Sequence, residues 1–477
     1  MIVYSETKGQ FRTDVLSNRI EQVILDLFKT KMKRSVGESE VRSWKNSMQY
    51  MDRVLEDTEI PEKSKVSIEY SLPQSSKRID FILTGKNAQE RDTAVIVELK
   101  QWEHAKATEK DAIVRTYLGG AEVETGHPSY QAWTYSCLLE DFNETVQQDD
   151  IGLFPCAYLH NCVSSVELKS PIYAEYYDRA PVFLRDDAVA LRSFIKQHVK
   201  YDDTGDIMYR IDNGRIRPSK NLADTLLSML QGNREFLMID DQKLVYETAL
   251  HLAGEAQTGH KRVLIVEGGP GTGKSVVAIN LLVELTKREL VAQYVSRNAA
   301  PRAVYESKLT GSFKKSHIGN LFKGSGGFTE TGPDVFDALI VDEAHRLNEK
   351  SGLYQNLGDN QIKEIIEASK LSVFFLDEDQ RVTLKDIGEK AEIRRWAEAA
   401  GASIQELELQ SQFRCNGSDG YLAWVDHALQ IRDTAHTDLE GVDFEFVVCD
   451  SPSQLRDMIF ERNRSNTPLI ARLPIHP

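Results

Sequence analysis

Gly268-Gly269-Pro270-Gly271-Thr272-Gly273-Lys274-Ser275 is the stretch on which the reading of this 477-residue chain turns. It satisfies G-x-x-x-x-G-K-S/T, opened by Gly268 and closed by Gly273, Lys274 and Ser275. Several backbone N–H groups must converge on the oxygens of a triphosphate, and glycine alone tolerates the positive φ values and close approach that such a cradle needs. The flanks agree with this use. Val263-Leu264-Ile265-Val266 precedes the loop as an apolar strand, and Val276, Val277, Ile279, Leu282 and Leu285 follow it at helical spacing. A loop entering the amino end of a helix also sits where the helix dipole favours an anion. The expectation is a parallel α/β sheet around this loop, with Gly268 to Gly273 enclosing the phosphates, Lys274 reaching the β- and γ-phosphates and Ser275 binding Mg²⁺.

Further segments extend the pattern outward. Ala338-Leu339-Ile340-Val341 runs into Asp342-Glu343-Ala344-His345, which places two acids at the carboxyl end of a buried strand, where α/β sheets bind ligands. In that position Asp342 would bind Mg²⁺ and Glu343 would polarise the attacking water. Leu371 to Leu376 is another apolar strand, closing on Asp377-Glu378-Asp379-Gln380, and this resembles the D-x-x-Q of superfamily 1 motif III, with Gln380 sensing the γ-phosphate. Leu409-Gln410-Ser411-Gln412-Phe413-Arg414 resembles motif IV, with Phe413 in place of the usual tyrosine and Arg414 as an arginine finger. Upstream, Gln242 offers a donor and an acceptor on one amide and resembles the adenine-reading glutamine of superfamily 1 helicases. Val291 to Val295 reads as a strand, and Ser296 to Ala300 after it resembles motif Ia.

The first 200 residues carry a different chemistry. Helical spacing at Ile20, Val23, Ile24 and Leu27, and from Val41 to Leu55, gives way to strands over Val66–Tyr70, Arg78–Leu83 and Ala94–Lys100. A turn at Thr84 to Asn87 is expected between the last two. Period two puts Glu98 and Lys100 on one face of the third strand. Glu98 with Asp80 would hold Mg²⁺ through hard oxygen ligands, and Lys100 would orient or deprotonate the attacking water and stabilise the phosphorane charge. Asp80 with Glu98-Leu99-Lys100 resembles the PD-(D/E)XK nuclease signature, Ile79-Asp80 standing where that signature has Pro-Asp. Gln131-Ala132-Trp133-Thr134-Tyr135 is similar to the Q-x-x-x-Y element of RecB-type nucleases, and a spacing of four puts Gln131 and Tyr135 on one helical face. Either Glu21 or Glu40 would complete the metal site. His104 and His127 have no ligand spacing and read as surface or packed residues.

Composition bounds the rest. Apolar content of 41% and charged content of 27% are those of a globular protein, and about three domains fit the length. No run approaches a membrane span and the start lacks an apolar signal core, so a cytoplasmic protein with no membrane partner is expected. Five scattered cysteines read as reduced thiols. A net charge of −15 argues against indiscriminate nucleic-acid binding, whereas Arg302, Lys308, Lys314, Lys315 and Lys323 form either a phosphate-contacting strip or a solvated basic loop.

From about residue 200 the chain resembles the Schlafen-type helicase family of bacterial proteins, and the whole resembles members that fuse a RecB-like nuclease to that motor. The resemblance implies a restriction-endonuclease-like α/β domain over 1–200, a connector over 201–235, a RecA-like P-loop NTPase domain over 236–404 and an incomplete second RecA-like domain over 405–477. It implies ATP and Mg²⁺ as cofactors and nucleic acid as partner, DNA before RNA, in DNA repair or defence against foreign DNA. Phe444 to Val448 and Leu455 to Arg464 read as the opening strand and helix of that second domain, while motifs V and VI have no match, so the ATPase cleft is expected to be completed by a missing C-terminal part or a partner chain.

Overall fold

The computed structural model describes residues 1–32, 36–72, 77–164, 166–214, 226, 228–230, 237–309, 320–351, 357–381, 383, 385–410, 419–430 and 447–465. Its contacts divide the chain into two units, Met1–Gly417 and Ser418–Pro477. The described residues of the first are mixed α/β, with two six-stranded sheets and one of three strands.

The first large sheet uses β1 (Ile2–Thr7), β2 (Lys65–Ser71), β3 (Arg78–Lys86) and β4 (Asp92–Lys100) as antiparallel neighbours. Between β4 and its next partner the chain forms a separate antiparallel sheet from β5 (Ala105–Ala107), β6 (Ile113–Leu118) and β7 (Ala121–Gly126). Then β8 (Gly152–Leu159) and β9 (Val182–Leu184) add in parallel, for an order β1-β2-β3-β4-β8-β9. Alternation along β4 sends Val95 and Val97 to one core, against the helices Ile20–Met32, Glu38–Leu55 and Ala188–His198. It sends Ala94 and Ile96 to the other, against Tyr135 and Leu139 of the helix Pro128–Phe142. Glu98, two residues beyond Ile96, therefore points toward that helix. β4 lies inside the sheet, between β3 and β8, so Glu98 and Lys100 do not stand on an open edge.

The turn between β3 and β4 lies later than Thr84–Asn87. β3 runs through Lys86, and Asn87 closes the turn by exchanging backbone hydrogen bonds with Glu90 and Arg91. Gly85 is needed inside the strand because a Cβ there would stand 2.6 Å from Tyr201 O. The passing segment is the start of the expected connector, and it belongs to the first sheet's packing. Asp203 accepts from Thr84 Oγ1 at 2.6 Å and from the Ile207 backbone, and the short helix Ile207–Asp212 buries Ile207, Met208 and Ile211. Residues 215–225, 227 and 231–235 of that connector lie outside the described residues.

The second large sheet is parallel throughout. Its strands are β10 (Arg262–Gly268), β11 (Ala292–Val295), β12 (Phe322–Lys323), β13 (Phe336–Val341), β14 (Ser369–Leu376) and β15 (Ser403–Leu409), in the order β12-β11-β13-β14-β10-β15. Helices cover both faces, as parallel sheets require. Asp240–Ala256 and Lys274–Lys287 cover Leu264, Val266 and Ile340; Gln361–Ala368 and Lys390–Ala399 cover Val263, Ile265 and Leu339. β15 pairs with β10 from Ser403 to Leu409, so residues 405–409, expected to open a second domain, close the first sheet instead. Its alternating polar sequence suits an edge strand open to water on one side.

The second unit contains the helices Asp419–Ala428 and Pro452–Ser465, the latter over the expected helical stretch Leu455–Arg464. Of the strand expected at Phe444–Val448, residues 444–446 lie outside the described residues and Val447 and Val448 are not in a strand.

Candidate functional site

Two constellations lie in the first unit, one on each large sheet. On the parallel sheet the carboxyl ends of β10, β13 and β14 bring together the glycine loop, the 342–345 acids and the 377–380 turn. The loop takes the left-handed turns its glycines permit, with φ of +84° at both Gly271 and Gly273, and Lys274 then starts the following helix. Lys274 Nζ donates to the carbonyls of Gly268 and Gly269, the latter at 2.9 Å. Thr272 Oγ1 donates to Gly269 O at 2.9 Å, which fixes the loop internally.

Ser275 Oγ donates to Asp342 Oδ2 at 2.6 Å, so the two residues expected to share Mg²⁺ are adjacent. A hydroxyl and a carboxylate side by side at the end of a phosphate loop form a hard-oxygen donor set that fits Mg²⁺. Tyr294, on β11, donates to the same Asp342 oxygen at 2.6 Å. Asp342 is buried, and burial raises its pKa above the ordinary carboxylate range. Glu343 follows at φ +56°, and a hydrogen bond with His345 holds its pKa below that range. His345 Nδ1 accepts from the Asp377 backbone N–H at 3.2 Å, so Nε2 carries the proton it directs at Glu343 Oε2, 3.2 Å away. Asp377 Oδ2 in turn accepts from Gln380 Nε2 at 2.7 Å. Glu343, His345, Asp377 and Gln380 thus form one chain from the acid box to the third motif.

Gln242 is buried in the first turn of the Asp240–Ala256 helix, and its Nε2 donates to Thr272 O at 3.1 Å, which sets it against the glycine loop. Arg414 lies outside the described residues, as do Phe413, Cys415, Lys314 and Lys315. In the Ser296–Ala300 stretch, Arg297 donates to Arg346 O and to Asp386 Oδ1 at 2.9 Å, which makes it a clamp on the 342–346 turn.

On the mixed sheet a cavity of about 300 Å³ is lined by Asp80, Glu98, Lys100, Gln131 and Tyr135, together with Glu40, Glu69, Lys77 and Arg78. All five residues expected of the nuclease signature face this one space. The β3–β4 ladder ends at Phe81–Val97, and beyond it Asp80 Oδ2 accepts the Leu99 N–H at 2.7 Å. Lys100 Nζ lies 2.7 Å from Glu98 Oε1. Gln131 Nε2 donates to Tyr135 OH at 2.8 Å, as a spacing of four on a helix allows. Burial, then the charge of Asp80, pushes the Glu98 carboxyl up to about 8. Lys100 is held above its ordinary value by Glu98 and Asp80 against the opposing effect of burial.

Glu98 Oε2 is buried without a protein hydrogen-bond partner. An orphaned carboxylate oxygen beside a second carboxylate is costly unless a cation or proton meets it, so the donor set fits Mg²⁺. Among the described residues no three His, Cys, Asp or Glu side chains form a closed metal cage. Mg²⁺ does not need one, since it commonly keeps several waters and takes one or two carboxylates.

Of the two alternatives for a third acid, Glu40 lines the cavity and pairs with Arg78 at 2.7 Å, while Glu21 is held by Lys45 at 2.9 Å. Sequence reasoning missed Glu69. It sits in β2 at φ +55°, accepts from Trp44 Nε1 at 2.7 Å, pairs with Arg78 at 3.0 Å, and has its carboxyl pushed up to about 7 by burial. A glutamate set between Ile68 and Tyr70 in a strand segment was the available signal. Tyr294, the other omission, is marked only by a phenol at the carboxyl end of a strand. His127 is buried and caps the Pro128–Phe142 helix that carries Gln131 and Tyr135.

The model of one protein family, Schlafen group 3, DNA/RNA helicase domain, matches residues 261–473. No curated protein matched the chain. Among solved structures, a DNA replication initiation factor aligns with 16% identity and a TM-score of 0.23, over 49% of this chain and 58% of its own. The SWI2/SNF2 ATPase core of Sulfolobus solfataricus, solved in complex with dsDNA, aligns with 12% identity and a TM-score of 0.21, over 35% of this chain and 43% of its own. The chain therefore spans less than two thirds of either structure. No described helix is long and apolar enough to cross a membrane.

Proposed function

We propose that this chain is an ATP-dependent nucleic-acid-processing enzyme in which a helicase-type ATPase is coupled to a Mg²⁺-dependent nuclease, acting on DNA before RNA. The single observation that carries the reading is the assembly of Asp80, Glu98, Lys100, Gln131 and Tyr135 around one cavity, in the same unit as the Lys274, Ser275 and Asp342 cluster.

At the nucleotide site, Lys274 leaves the loop carbonyls for the β- and γ-phosphates, and the loop's N–H groups take the remaining oxygens. Mg²⁺ there would be held by Ser275 and Asp342 and would neutralise charge on the phosphates. Glu343, kept ionised by His345, accepts a proton from the attacking water, and Gln380 and Arg414 complete the phosphate contacts. At the carboxylate pocket, Mg²⁺ held by Asp80 and Glu98 would polarise the scissile phosphodiester. Lys100 orients the attacking water and offsets the developing charge, and Gln131 with Tyr135 positions the strand. DNA repair or defence against foreign DNA is the setting that fits such a pairing.

The test is release of labelled oligonucleotide from DNA by the full chain in Mg²⁺ and ATP. The reading expects cutting that Lys100→Ala abolishes and that Lys274→Ala leaves intact in the absence of ATP. Absence of cutting by the parent chain with any divalent metal would leave a nucleotide-responsive nucleic-acid-binding module with an inert nuclease-like domain.

A further inference from the structure

Three consecutive residues at the start of the Asp240–Ala256 helix reach three different places. Asp240 Oδ2 accepts from Tyr135 OH at 2.8 Å, in the carboxylate pocket. Asp241 Oδ2 accepts from the Gln410 backbone N–H at 2.7 Å, just past the end of β15 and four residues before Arg414. Gln242 Nε2 donates to Thr272 O at 3.1 Å, in the phosphate loop. Lys77, which lines the carboxylate pocket, lies 3.2 Å from Asp240 Oδ2 and 3.1 Å from Asp241 Oδ1.

Asp240 itself is held at φ +43°, a left-handed conformation that few non-glycine residues adopt and that aspartate tolerates better than most. Such an outlier persists where its surroundings over-determine it, and here they do so from both sheets. Asp241 and Gln242 follow Asp240 directly in the same helix, so a movement of its first turn carries all three residues.

We propose that Asp240, although it belongs to the nucleotide-binding half, is a positioning residue for the carboxylate pocket, and that the Asp240-Asp241-Gln242 step makes the Gln131–Tyr135 pair responsive to nucleotide occupancy. An adenine read by Gln242 competes with Thr272 O for its amide, and the loop must open when Lys274 leaves the Gly268 and Gly269 carbonyls. Either event moves the first turn of the helix. Asp240 then shifts against Tyr135, whose hydroxyl is the acceptor that holds Gln131. Asp240 also bears on the electrostatics of the pocket, since its charge is felt at both Glu98 and Lys100. The role of the pocket itself rests on the nuclease reading above; the mechanical link does not.

Hydrogen–deuterium exchange of the Pro128–Phe142 segment tests the link in the full chain, with and without a saturating non-hydrolysable ATP analogue and Mg²⁺. The expected result is exchange about tenfold faster in that segment with nucleotide, the scale set by one hydrogen bond to a charged group. Asp240→Ala, which leaves the Tyr135 hydroxyl without this acceptor, should bind a fluorescent ATP analogue as the parent does and lose the nucleotide-dependent change. Tyr135→Phe removes the same hydrogen bond from the other side and should lose it too, which covers the case in which Asp240→Ala fails to fold. No change in the parent with nucleotide bound, or a change that survives in both variants, overturns the proposal. If the exchange result holds while the parent chain never cuts DNA, the nuclease reading fails and the link stands; if the chain cuts DNA without the exchange change, the link fails and the nuclease reading stands.

Discussion

Tyr294, on β11, donates its hydroxyl to Asp342 Oδ2, just past the end of β13, at 2.6 Å. Two strands of the parallel sheet thereby fix one carboxylate of the proposed nucleotide site. Tyr294→Phe keeps the ring, which packs edge-on against Tyr305 and Phe322, and removes only this hydrogen bond. The expected cost is about 1–2 kcal/mol of stability by chemical denaturation, together with a raised Mg²⁺ requirement for ATP hydrolysis. A variant with the parent's stability and metal dependence would show that Ser275 and the Glu343 backbone N–H suffice to orient Asp342.

Lys274→Ala removes the only side chain of the loop that carries a full positive charge. Hydrolysis of ATP should fall by at least about 100-fold, the scale for losing one preorganised contact to a transition-state oxygen. Phosphate release at the parent's rate would place the nucleotide site elsewhere.

His127 couples stability to pH. Its Nδ1 accepts from the Ser129 N–H at 3.1 Å and its Nε2–H donates to Leu168 O at 2.9 Å, a pair of partners that only the neutral ring satisfies. Burial lowers its pKa to about 4 from 6.5. A depressed histidine pKa means the unfolded chain binds the proton more readily, so this contribution is complete above pH 6.5 and drains away as pH falls toward 4. The whole contribution is about 3 kcal/mol. Thermal melts from pH 7.5 to 4.5 should show a steeper acid loss for the parent than for His127→Asn, which keeps a capping acceptor without a titrating ring. Equal slopes would contradict the assignment.

Gly85→Ala would put a Cβ 2.6 Å from Tyr201 O and 2.7 Å from Val199 Cγ1. Overpacking of that kind costs about 1–3 kcal/mol. Urea unfolding should register it, and an unchanged midpoint would mean that the 201–212 segment yields without loss.

What could be read from the chain beforehand followed how local its cause was. The glycine loop, the acid box and the strands that end in them were legible because each is an apolar run meeting its functional residues within a few positions. The same holds for Glu98 and Lys100, where period two alone sets the face. Tyr294 and Glu69 were missed because their roles arise from strands brought together across the fold, through Asp342 in one case and Trp44 with Arg78 in the other. The placement of 201–212 and of 405–409 went astray for a related reason. A polar segment reads as a linker until the residue it caps or the strand it pairs with is in view, and Asp203 and β15 act through such distant partners.

The central claim is that nucleotide hydrolysis by this chain is tied to nucleic acid. Its most direct test is the steady-state ATPase rate of the purified full chain at saturating Mg²⁺·ATP, with and without single-stranded DNA. A severalfold rise on adding DNA, absent in Lys274→Ala, is the predicted result; a rate indifferent to DNA and RNA would contradict the account and point to a switch that acts on protein partners.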